Sequence, residues 1–248
     1  MNTILVIGGL GFKGTNFVEH ALLRFKHSRI IVLDRETRCQ NDVIVEQYDV
    51  ESQKAADVFR KYDVNCVVSF VKSDAVLDYC KTFSIDRYLQ ILSYRDDNSD
   101  VPINIRTSHC YGPHQRIDRF IPKMIVGSIK QDFLTVYGEG QDSHDWIYID
   151  DFCNAVCKIL ELSENHKSYS IGGEYRIKNL DIARTILKKF ELPLSFVEYI
   201  NDSYKAQIEC MNNESMKNLC WRPMMTFEEG LDKTILWYKK HFSATSAN

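Results

Sequence analysis

The sequence opens on Thr3-Ile4-Leu5-Val6-Ile7, an apolar run of strand length, and turns at once through Gly8-Gly9-Leu10-Gly11-Phe12-Lys13-Gly14 into a helical pattern. A strand that meets a helix across so bare a bend has few ways to fold. Phe17, Val18, Ala21, Leu22 and Phe25 recur on one helix face, and Arg29–Leu33 is a second apolar run. Val43–Tyr48, a helix marked by Ala55, Ala56, Val58 and Phe59, and then Asn65–Val71 continue the alternation. Strand and helix alternating at this spacing predict an α/β protein built on a doubly wound parallel sheet.

The bend also carries chemistry. A dinucleotide pyrophosphate needs a tight turn, a backbone it can approach closely, and a helix N-terminus whose N–H groups face the anion. Gly8, Gly11 and Gly14, with Phe12 and Lys13 between them, supply all three and make the sheet Rossmann-type; a plain strand-to-helix turn is the alternative. Asp34 ends the second strand at the distance where a carboxylate accepts the hydroxyls of an adenosine ribose and repels a 2′-phosphate. That favours NAD over NADP, while Arg35, Arg38 and Lys13 nearby leave NADP open. Asp49-Val50, after the third strand, is placed to meet the adenine, or Asp49 is merely a solvated strand end. Phe70, at the end of the fourth strand, joins the cofactor-binding set.

Charge and composition remove other classes. With 31 Lys+Arg against 34 Asp+Glu the 248-residue chain has a formal charge of −3, so no global field draws nucleic acid or an anionic membrane surface. No run approaches the roughly 20 apolar residues that cross a bilayer. Met1–Ile7 lacks the basic segment and cleavage site of a signal peptide, and the 8 cysteines include no C-x-x-C pair. A cytoplasmic protein with reduced thiols and no metal is expected.

The texture changes after residue 113. Pro122 opens a helix carrying Ile125 and Ile129, and Asp150-Asp151 precede Phe152, Val156, Ile159 and Leu160. Asn179 precedes the face Ile182, Ala183, Ile186 and Leu187, and Thr226-Phe-Glu-Glu229 is a capping box before Leu231, Ile235, Tyr238 and Phe242. The expected division is a dinucleotide-binding domain over 1–112, completed by about 145–172, and a smaller α/β substrate domain over 113–248.

The G-x-x-G-x-x-G bend resembles that of the extended short-chain dehydrogenase/reductase superfamily, also called the NAD-dependent epimerase/dehydratase family. Arg106-Thr-Ser-His-Cys-Tyr-Gly-Pro113, Arg119-Phe-Ile-Pro122, Val136-Tyr-Gly-Glu-Gly-Gln141, Asp145-Trp-Ile-Tyr-Ile-Asp-Asp151, Tyr169-Ser-Ile-Gly-Gly173 and Leu219-Cys-Trp-Arg-Pro223 together resemble the successive motifs of dTDP-glucose 4,6-dehydratases. The resemblance implies NAD as cofactor and a nucleotide-activated hexose as substrate. It places Tyr137 near the nucleotide base and Arg119 with Phe120 against the nucleotide. His109 stands where an asparagine is usual. His144 stands where an arginine grips the diphosphate, and it is either a phosphate contact or a polar loop residue. A second diphosphate arginine is missing near Gln207, with Arg116, Lys123 or Lys205 as possible substitutes.

The same resemblance implies catalytic groups that this chain lacks. Neither a Ser-Thr-Asp-Glu strand end nor a Tyr-x-x-x-Lys helix is present. Only about a helix's worth of chain lies between Asp74 and the strand Val101–Arg106, so the sheet is expected to be one strand-helix unit short, with that strand docked beside the fourth. Tyr79-Cys-Lys-Thr-Phe83 is the nearest relic, with Phe83 where a lysine would lower the tyrosine pKa and bind the nicotinamide ribose. Tyr79 is a proton-donor candidate or a helix-surface tyrosine. Lys72, Lys81 and Ser73 are further polar candidates, and Cys80 has no neighbouring base. The least demanding surviving chemistry is reduction at sugar C4, needing NAD(P)H and one proton donor; dehydration or 4-epimerisation ranks behind it. A binding homologue without turnover is the competing class. Relatives dimerise through helices in the shortened region, so a monomer or an altered homodimer is expected.

Overall fold

The computed structural model describes residues 2–37, 43–85, 87–93, 101–164, 167–200 and 211–245. In chain order the elements are β1 (Thr3–Ile7), α1 (Phe12–Arg24), β2 (Arg29–Asp34), β3 (Ile44–Gln47), α2 (Gln53–Lys61), β4 (Cys66–Ser69), α3 (Asp74–Thr82), β5 (Arg87–Ser93), β6 (Ile103–Thr107), β7 (His109–Tyr111), α4 (Phe120–Lys130), β8 (Leu134–Tyr137) and β9 (Ser143–Tyr148). α5 (Ile149–Leu162), β10 (Lys167–Ile171), β11 (Tyr175–Lys178), α6 (Asn179–Lys189), β12 (Val197–Ile200), α7 (Glu214–Lys217) and α8 (Phe227–Thr245) follow. The chain divides into two compact units: residues 1–107, 152–171 and 212–222, and residues 108–151, 172–211 and 223–248.

The first unit holds a seven-stranded sheet in the order β10-β6-β5-β4-β1-β2-β3, with every pairing parallel. Strands covered on both faces read as near-continuous apolar runs, and all five residues of β1 are buried. Alternate residues Leu5, Ile7, Ile31, Leu33 and Val67 gather with Ala55, Val58 and Phe59 of α2 and Val76 and Cys80 of α3 in one core. Burying a side chain the size of Phe59 stabilises the fold by about 1.5–3 kcal/mol.

The sheet corrects one expectation. The strand beside β4 is not the one near residue 103 but β5, paired in register from Cys66↔Arg87 to Ser69↔Gln90, and β6 lies beyond it. Tyr88, Leu89, Ile91 and Leu92 supply its buried run. Gln90 interrupts the run yet is fully buried, because its amide is satisfied: Tyr88 donates to Oε1, and Nε2 donates to the carbonyls of Ser69 at 3.2 Å and Val71 at 3.1 Å. The economy of length falls on the β5-to-β6 connection, residues 94–102, where parallel strands ordinarily need a dozen or more residues.

The second unit is built on a three-stranded sheet, β11-β9-β7, and a two-stranded one, β12-β8. Asp151 accepts the N–H groups of Met224 and Met225 at 3.1 and 2.8 Å, fixing the approach to α8. The capping box forms as read: Glu229 N–H donates to Thr226 Oγ1, and Thr226 N–H donates to Glu229 Oε2.

Arg87 has a role that composition does not announce. Its guanidinium donates to the carbonyls of Leu160 at 2.6 Å and Ser163 at 3.1 Å, closing the C-terminal turn of α5, where unpaired carbonyls collect and a cation is favoured. Replacing it with methionine keeps the stem and removes the donors. Arg87→Met is expected to lower stability by about 1–3 kcal/mol in urea melts, and Arg87→Lys to recover part of that loss.

Candidate functional site

Three glycines shape the bend between β1 and α1, each for a different reason. Gly8 sits at φ +72, donates its N–H to Leu33 O at 2.9 Å, and an added Cβ there would press on Val71. A Cβ on Gly14 would fall on the Gly8 carbonyl oxygen and within 2.6 Å of Gly9 Cα. Gly11 differs: it has ordinary extended dihedrals, φ −70 and ψ 172, it is exposed, and a Cβ on it would meet nothing nearer than Gly8 O at 3.5 Å. Protein packing explains Gly8 and Gly14 and leaves Gly11 unexplained.

Gly11 is also the N-cap of α1, where no side chain caps the helix and the first turn carries no acid. The leading N–H groups and the positive end of the helix dipole are therefore open to an anion. Asp34 reinforces the bend, with Oδ2 accepting the Leu10 N–H at 2.9 Å and Oδ1 accepting the Glu36 N–H at 3.2 Å. A carboxylate has about four acceptor positions, so Asp34 retains capacity for a ribose hydroxyl. Arg35 turns to Asp49, Nε to Oδ2 at 3.0 Å. Val50 is core, packed among the residues that include Leu33 and Phe59. The Phe70 ring lies 5.7 Å from Phe17 and 6.5 Å from Phe152, and Lys13 Nζ is 5.3 Å from the centre of the Phe152 ring. Phe12 begins α1, half-buried. Arg38, Lys205 and Gln207 lie outside the described residues.

Tyr79 faces α2. Its ring lies 5.4 Å from Phe59, its hydroxyl donates to Ser52 O at 3.2 Å, and burial pushes its phenol pKa up. Phe83 stacks on the same Phe59 ring at 5.6 Å. Both positions of the relic motif thus fasten α3 to α2. Ser73 donates to Glu51 Oε1 at 2.6 Å, Lys72 and Lys81 are exposed, and Cys80 is buried with its thiol pushed up to about 12. A thiol so shielded is no nucleophile near neutrality.

In the second unit β7 and β9 bring His109 and His144 together, ring centroids 4.4 Å apart. Trp146 is the hub of this group, 5.3 Å from His109, 6.2 Å from His144 and 6.3 Å from Phe120, the first residue of α4. Arg119 is the N-cap of that helix. Tyr137 is exposed at the end of β8, on the two-stranded sheet rather than with the histidines. Sequence reasoning passed over Trp146, although the alternation His144-x-Trp146-x-Tyr148 in a strand marks three side chains on one face.

Residues 84–172 match the NAD dependent epimerase/dehydratase family. A dTDP-D-glucose 4,6-dehydratase of Dictyostelium discoideum is 22% identical over 96% of this chain and 82% of its own length. The low-salt glycan biosynthesis protein Agl12 of Haloferax volcanii is 24% identical over 95% of this chain and 98% of its own. A dTDP-glucose 4,6-dehydratase of Mycobacterium tuberculosis is 33% identical over 139 residues, 55% of this chain and 42% of its own length, so the match spans less than half of that relative. Among solved structures, dTDP-glucose 4,6-dehydratase from Bacillus anthracis in complex with NAD superposes with a TM-score of 0.88 at 23% identity, covering 98% of each chain. UDP-glucose 4-epimerase from Thermotoga maritima, solved with UDP-glucose, gives 0.85 at 14% identity over 97% of this chain and 99% of that one.

The asymmetry among the glycines is directly measurable. Gly14→Ala forces backbone against backbone and is expected to cost about 3 kcal/mol or more of stability. Gly11→Ala is expected to stay within about 0.5 kcal/mol of the parent in the same thermal melts.

Proposed function

We propose that the chain, whose residues 84–172 match the NAD dependent epimerase/dehydratase family, binds NAD at the Gly8–Gly14 bend and transfers hydride at C4 of a nucleotide-activated 4-keto-6-deoxy hexose. The observation that carries the reading is Gly11: a helix N-terminus without a cap, behind an exposed glycine that the fold itself does not require. A pyrophosphate fits that cradle, taking the leading N–H groups of α1. Asp34, held in place by Leu10, orients the adenosine ribose, and with Arg35 drawn to Asp49 the carboxylate decides for NAD over NADP. Asp49 and Phe70 border the same cofactor. Bound reduced nicotinamide supplies the hydride.

In the second unit His109, Arg119, Phe120, Tyr137 and His144 hold the nucleotide sugar. The proton for the C4 oxygen comes from Tyr79 or from water, and the Ser52 contact argues for water, since the Tyr79 hydroxyl is already committed. Reduction survives the loss of a Tyr-x-x-x-Lys pair because orienting the dinucleotide against the carbonyl supplies much of the acceleration. The buried thiols of Cys66 and Cys80 suit a cytoplasmic, reducing setting, and the shortened β5-to-β6 connection suits a monomer or an altered homodimer.

A second reading, a binding homologue without turnover, is favoured by one specific observation: Tyr79 and Phe83 are both spent on packing against Phe59. Absorbance of the reduced nicotinamide separates the two. Purified protein mixed with NADH and a 4-keto-6-deoxy nucleotide sugar is expected to consume NADH, at a rate that Tyr79→Phe leaves unchanged. Cofactor binding without oxidation of either NADH or NADPH gives the second reading, and a rate loss of about tenfold or more in Tyr79→Phe assigns that hydroxyl as donor.

A further inference from the structure

From the pairing of His109 with His144 we infer a proton-coupled phosphate clamp: the two imidazoles take up protons as they close on the diphosphate of a nucleotide sugar. This rests on the nucleotide-sugar reading above and adds its regulation by pH. The rings come from neighbouring parallel strands, His109 exposed and His144 half-buried, with centroids 4.4 Å apart. Two imidazolium rings this close repel each other, and an anion bridging them turns repulsion into two charge-assisted hydrogen bonds. Imidazole is the side chain that ordinarily changes charge between pH 5 and 8, so anion binding and proton uptake are linked there.

The surroundings fit an anion. Trp146, 4% exposed, lies within the cluster, and its indole N–H has no hydrogen-bond partner among the described residues, which offers a third donor. Phe120 brings the start of α4 to the same tryptophan, and that helix has Arg119 as N-cap, no side-chain cap and no acid in its first turn. Lys123 follows one turn in. Asp118 is paired with Arg116 at 2.8 Å. From β11, Ile177 lies beside His144 and Tyr175 beside Trp146, while Arg176 lies opposite Asp145 and Lys178 donates to Gln141. From α8, Lys233 sits over the Tyr148 ring, and Glu229 is occupied by its capping box next to Glu228. The carboxyls nearest in sequence are Asp142, buried ahead of β9, and Asp145, which strand alternation turns to the opposite face and whose Oδ1 accepts the Tyr175 N–H.

Isothermal titration with UDP-glucose or dTDP-glucose tests the clamp, because the two phosphates of a sugar diester exchange no proton between pH 6 and pH 8.5. Affinity is expected to be about tenfold or more tighter at pH 6, with a binding heat that varies with the ionisation enthalpy of the buffer, the signature of proton uptake. His144→Arg places a permanent planar charge in the pair and is expected to bring affinity at pH 8.5 close to the wild-type value at pH 6, a rescue that a packing role for His144 would not give. The double variant His109→Asn, His144→Asn is expected to bind weakly and without pH dependence. NAD titration of the same variants confirms that each is folded. Inorganic phosphate forms the second arm: it is expected to compete weakly and only at pH 6, and affinity equal to that of the sugar nucleotide would assign the pair to free phosphate and overturn the diphosphate clamp. Tight, pH-independent sugar-nucleotide binding overturns the clamp alone. No binding at either pH by the wild type and by His144→Arg overturns the nucleotide-sugar reading with it.

Discussion

The backbone of Gly14 rests on the carbonyl of Gly8, leaving no room for a side chain between them, and that contact decides how β1 hands the chain to α1. It brings the first turn of the helix tight against the end of the strand with its N–H groups free. Leu10, at the top of the bend, is tied to the Asp34 carboxylate, so the end of β2 is locked to the same turn. The end of β4 is fixed just as firmly. Gln90 holds the Ser69 and Val71 carbonyls, and Val71 is the residue that a side chain on Gly8 would strike. A buried glutamine deep in β5 therefore holds part of the wall against which the glycine bend is packed, at the carboxyl ends of parallel strands where open α/β sheets take their ligands.

The chemistry follows from what the remaining positions have been given to do. α3 spends its tyrosine and the phenylalanine beyond it on α2, building an aromatic group around Phe59 where a reactive pair would need solvent access and charge. The fold gains packing there and keeps the cradle for an anion. A protein so arranged suits the simplest reaction a nicotinamide supports, or binding alone.

How much of this was legible in the sequence depends on whether the interaction is local. The glycine bend and the Thr226–Glu229 box are made by near neighbours in the chain, and each forms as read, while the helix expected to open at Pro122 begins two residues earlier at Phe120. β5 was not read as a strand because Gln90 breaks its apolar run, and a buried amide is tolerated only through partners on β4 that no local pattern reveals. Tyr79 was ambiguous for the same reason, since the acceptor of its hydrogen bond is a carbonyl at the N-cap of a different helix. The juxtaposition of His109 and His144 needs the pairing of β7 with β9, a long-range register that spacing alone does not supply.

The central claim is that the exposed glycine at the head of α1 exists for a dinucleotide pyrophosphate. Calorimetric titration of the intact protein and of its Gly11→Ala variant with NAD and NADH tests it most directly. One site per chain in the parent, weakened about tenfold or more by a methyl group that leaves the melting curve in place, is the result the account requires. Absence of binding heat with both nucleotides, or equal affinity in parent and variant, would contradict it.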